Sequence, residues 1–76
     1  MDLLTKVSIK HGLKKMPKAK PLAEALVAEA RRQGATLGDF KLAVEIATTI
    51  LENAMDPNLL YMDGFEGEIE AAFESI

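Results

Sequence analysis

The chain has no cysteine and no tryptophan, one histidine, and only three phenylalanines and one tyrosine in 76 residues. Without thiols there are no disulfides, no thiolate metal ligands and no cysteine nucleophile. A single imidazole, His11, rules out a cluster of histidine ligands within one chain. Long apolar runs are also missing; the longest fall far short of the roughly 18 residues that a bilayer span needs, and the first residues lack a signal-peptide core. The expected location is therefore cytoplasmic, with no membrane span.

What is present is an apolar share of 49% set among charged residues of both signs, the composition of a folded domain rather than a disordered tail. Seventy-six residues suffice for one small domain with an economical core. The net charge of −3 hides a segregation along the chain. Residues 1–20 carry six lysines against Asp2, a net of +5, whereas residues 56–76 carry six carboxylates and no base, a net of −6. Attraction between such segments acts over only about 8 Å at physiological salt, so packing must first bring them together.

Residues 36–55, TLGDFKLAVEIATTILENAM, are apolar around more than half of a helical circumference. Leu37, Phe40, Ala43, Val44, Ala47, Ile50, Leu51, Ala54 and Met55 share one broad arc, which Leu42 and Ile46 extend on one side. This helix is expected to be the buried spine of the fold, with Val44 and Leu51 turned away from solvent. Thr36 suits its N-cap, and Asp39 completes an acidic variant of the capping box.

Before it, Pro21 and the helix formers of LAEALVAEARRQ predict a helix over about 21–33. Leu22, Ala23, Leu26, Val27 and Ala30 would form its buried face, and Gly34 would end it. After it, Asp56-Pro57 is a stop, Asn58 to Met62 can form one short turn, and Phe65, Ile69, Ala72, Phe73 and Ile76 predict a last amphipathic helix over 65–76. Residues 1–20 support both a strand period and a helical one, Gly12 weakens a helix there, and KMPKAKP reads as an extended connector. The fold expected is all-α: a small compact bundle of three main helices, with residues 1–20 as a basic N-terminal arm or short extra helix and 21–76 as a single helical domain.

Four kinds of chemistry can be weighed against this frame. Lys10, Lys14, Lys15, Lys18 and Lys20 could neutralise nucleic-acid phosphates, but no aromatic residue lies among them to stack on bases. The spacing of Ala30, Gly34 and Phe40 is similar to that of helix-turn-helix DNA-binding pairs. The following helix, however, opens with Leu37, Gly38, Asp39, Lys41, Leu42 and Glu45, a poor set for reading base edges. Asp56-x-Asn58 begins like a calcium loop, yet Leu60, Tyr61 and Gly67 stand where an oxygen ligand, the turn glycine and the closing glutamate belong. Ser8 and His11 lie close together without an orienting carboxylate at motif spacing, and so small a helical domain has little volume for a catalytic cleft. No enzyme activity, cofactor, metal or small-molecule substrate is expected.

A fifth candidate is the surplus of apolar helix surface, which either the rest of the chain or a second chain must cover. Leu42, Ile46, Leu59, Tyr61 and Met62 are the expected partner-binding residues. The function expected is that of a non-catalytic interaction or accessory regulatory module that binds protein, itself included as a homodimer. The alternative is a small helix-turn-helix-like DNA-binding protein using the lysine-rich arm.

Overall fold

The computed structural model describes residues 1–55 and 62–76. Among these the chain is all-α, with four helices and no strand. It divides into two compact units, Met1–Ala35 and Thr36–Ile76. That partition groups residues 1–20 with the helix that follows them, where the sequence reading sets them apart as an arm.

The first unit holds α1 (Leu3–Lys15) and α2 (Ala19–Arg32). The helical period prevails in α1 because its ends are satisfied: the Asp2 carboxylate accepts the Thr5 backbone N–H at 2.7 Å, and Lys14 and Lys15 occupy the last turn. Gly12 is carried inside the helix. Pro17 ends it by pushing Met16 out of the α region, to φ −131° and ψ 72°.

The extended connector expected over KMPKAKP is shorter than that, because α2 already begins at Ala19. Pro21 falls in its first turn, where a missing N–H leaves no helical bond unmade, so the bias against helix at Lys20 is overcome. At the other end the Gly34 N–H donates to the Arg31 carbonyl at 3.1 Å and the Ala35 N–H to the Ala30 carbonyl at 2.9 Å, with Gly34 at φ 71°. This is a complete Schellman closure, and its left-handed residue requires glycine.

Neither α1 nor α2 buries a side chain. The apolar face expected to be core on α2 is instead open: Leu22 is 60% exposed, and Leu26 and Val27 are exposed as well. The reason lies in α1, whose Leu3, Leu4, Val7, Ile9 and Leu13 are spread around its circumference. They give α2 no continuous stripe to close upon.

The second unit holds α3 (Leu37–Ala54) and α4 (Glu66–Glu74), which pack together. Thr36 and Asp39 form the expected reciprocal box: the Asp39 N–H donates to the Thr36 hydroxyl and the Thr36 N–H to the Asp39 carboxylate, both at 3.0 Å. Gly64, at φ 93°, turns the chain into α4, whose Glu66 and Glu68 complement the positive end of the helix.

Ile50 is the one buried side chain among the described residues, at 7% exposure. Around it Ile46, Ala47, Leu51, Ala54 and Met55 of the α3 segment, together with Phe65, Ile69 and Ala72, are half-buried. The expectation of a fully buried spine is therefore corrected. Nine residues of α4 span about 14 Å against about 27 Å for the eighteen of α3. The shorter helix covers chiefly the C-terminal half of the longer one. Val44, expected inside, is 38% exposed, Leu37 is more exposed still, and Leu51 is half-buried.

Candidate functional site

The densest group of expected partner-binding residues lies on α3. Leu42 and Ile46, one turn apart, line a shallow groove of about 250 Å³ with Glu45, Thr49, Ile50 and Ile76. Helical spacing places Leu42 and Ile46 on the flank of the α3 arc, on the side next to Ile50. Leu42 stays 57% exposed while Ile46 is half-buried. The groove thus has an apolar floor running into the small core, an apolar wall at Ile76, and a polar rim at Glu45 and Thr49. Thr48, on the neighbouring wet face, turns its hydroxyl back to the Val44 carbonyl at 2.8 Å.

Met62, just before the Gly64 turn, is exposed. Leu59 and Tyr61 lie outside the described residues, as do Asp56, Asn58 and Leu60 of the calcium-loop comparison. Ile76 is the residue that sequence reasoning missed. Its spacing from Phe65, Ile69 and Phe73 assigns it to the buried stripe of the last helix. That helix, however, closes at Glu74, and Ile76 lies beyond it, 79% exposed at the groove wall.

The lysines of the alternative reading are all exposed. Lys10 and Lys14 follow one another along one face of α1, Lys15 lies on another, Lys18 precedes α2 and Lys20 sits in its first turn. Ser8 and His11, also on α1, are exposed to solvent.

Electrostatic order is concentrated at the helix ends. Glu29 accepts from the Arg32 guanidinium and, at 2.9 Å, from the Gln33 amide. The Arg32 contact, followed by that of Gln33, holds its carboxyl at about 2. Hydrogen bonds from Thr36 likewise lower Asp39, and those from Thr5 lower Asp2. Asp2 and Asp39 bind backbone N–H groups at helix starts, whereas Glu29 ties together the side chains of Arg32 and Gln33 at the end of α2. Among the described residues no group of three or more histidine, aspartate or glutamate side chains is gathered for a metal ion, and no helix is long and apolar enough to cross a membrane.

No protein-family model, curated protein or solved structure matches this chain.

Proposed function

We propose that this protein is a non-catalytic helical module that binds protein through the groove beside α3. The observation that carries this reading is Leu42, a large apolar side chain left open to solvent next to a floor of Ile46 and Ile50. A groove with an apolar base and a polar rim fits one face of an amphipathic helix, whose anchor residues recur at i, i+3 and i+4. Burial of Leu42 against such a helix would supply affinity, and Glu45 at the rim would set orientation. Catalysis asks for a desolvated cleft with convergent polar groups. Ser8 and His11 instead stand exposed on α1, and the groove is lined mainly by hydrocarbon.

Site-specific photocrosslinking in the source cells tests the proposal. A photoreactive residue at position 42 is expected to give discrete protein adducts, and the same residue at Glu52 on the wet face is expected to give none. Adducts of equal yield from both positions, or none from position 42, would overturn the reading.

A further inference from the structure

The face of α2 around Val27 carries its own complement. Glu24 and Arg31 stand seven residues apart, two turns and about 10 Å along the helix, so both fall on one face with Val27 between them. Ala23 and Ala28 flank Val27, and the five residues line a shallow hollow of about 370 Å³. All five are exposed, Val27 at 50%.

Opposite charges at that interval select what can lie on the face. A matching helix must itself carry an acid and a base seven residues apart, with small or apolar residues between them. α1 has no acid, α4 has no base, and α3 has one base, Lys41, with Gly34 and Thr48 seven residues to either side. No other described helix of the chain meets the requirement, and α2 itself does.

We propose that the occupant is α2 of a second copy, laid antiparallel about a two-fold axis midway between Val27 and Ala28. Glu24 of each copy then meets Arg31 of the other, so the isologous contact closes two ion pairs at once. A parallel pair would set Glu24 against Glu24 and Arg31 against Arg31, and charge therefore fixes the direction. Lys20, on the same face one turn before Glu24, falls beside the carbonyl end of the other α2, where a cation is favoured. Val27 supplies apolar burial at the centre, and the charge pairs at its edge set register.

The inference uses α2 alone and is separate from the α3 groove. Sedimentation equilibrium of the full chain over about 1 µM to 1 mM is expected to show a dimer whose dissociation constant rises with salt. Glu24→Lys alone, or Arg31→Glu alone, sets like charges at both contacts and should weaken the dimer at least about fivefold. An equimolar mixture of the two variants should regain affinity to within about threefold of the original, because each supplies the charges that the other needs. No contact inside one chain can produce that recovery. Should either variant lose helix by circular dichroism, Glu24→Gln and Arg31→Gln keep good helix formers in place, and each should weaken the dimer about twofold or more.

Because the chain has no cysteine, Val27→Cys adds a single thiol close to the axis. Mild oxidation should link two such chains at least about tenfold faster than it links Ala25→Cys, whose thiol lies about 160° round the helix. A strictly monomeric wild type, a dimer indifferent to both charge reversals, a mixture that stays dissociated, or equal linking from positions 25 and 27 would overturn the proposal.

Discussion

Gly12 and Gly34 are equally uncrowded, since a Cβ at either would meet nothing within 4 Å. Space therefore does not separate them, and backbone conformation does. Gly12 sits inside α1, where alanine is the better helix former, so Gly12→Ala should stabilise that helix by up to about 1 kcal/mol. Gly34 holds φ 71° in the closure of α2, and Gly34→Ala should cost about 1 kcal/mol through the left-handed strain alone. Thermal melts followed at the helical band should move in opposite directions for the two variants; shifts of the same sign would contradict the backbone argument. Glu29 offers a second test at this scale. Its folded value of about 2 lies below the ordinary 4.5, so its contribution is present above the ordinary value and is lost as pH falls through the folded one. An NMR titration of the Glu29 carboxyl should show a midpoint near 2 in dilute buffer. That midpoint should climb towards the ordinary range in Arg32→Ala or in about 1 M salt, because the exposed pair is open to screening.

Unit two owes its cohesion to one contact between unequal helices, and Ile50 is the centre of it. Ile50→Ala removes the single buried side chain among the described residues and should destabilise α3 and α4 by about 2 kcal/mol, the low end for a core truncation because the site is covered from one side. Leu42→Ala on the same helix should change stability by less than about 0.5 kcal/mol, since its side chain is already wet. Denaturant titrations of both variants decide the matter, and equal losses would show that the burial pattern is wrong. This asymmetry also shows what the sequence could convey. The caps were legible because they are local: Thr36 with Asp39, and Gly34 after Arg31 and Arg32, carry their whole geometry in a few residues. The extent of the core was not, since periodicity identifies an apolar arc on α3 but not the length of the partner that will lie on it. Val44 and Leu22 were expected inside for that reason, and each is left open because the neighbouring helix is too short or has no matching stripe. In the groove, Leu42 and Ile46 were legible as surplus on one flank of the arc, whereas Ile76 was hidden by a helix that stops before reaching it.

At the scale of the whole molecule, the net charge of −3 says little, and the placement of charge along helices says more. The basic and acidic segments are visible in the sequence, but the lysines at 6, 10 and 14 share a face only once residues 3–15 are one continuous helix, and the sequence supports a strand period there as well. Burial is as unevenly divided as charge: neither α1 nor α2 buries a side chain, whereas Ile50 is buried in the second unit. A helix as short as α1 is marginal by itself, so without apolar cover it should open far more often than the α3 turn around Ile50. Amide hydrogen exchange followed residue by residue checks this, with protection expected to be lower by at least about tenfold across α1 than around Ile50. Equal protection in the two units would mean that the chain unfolds as one cooperative body.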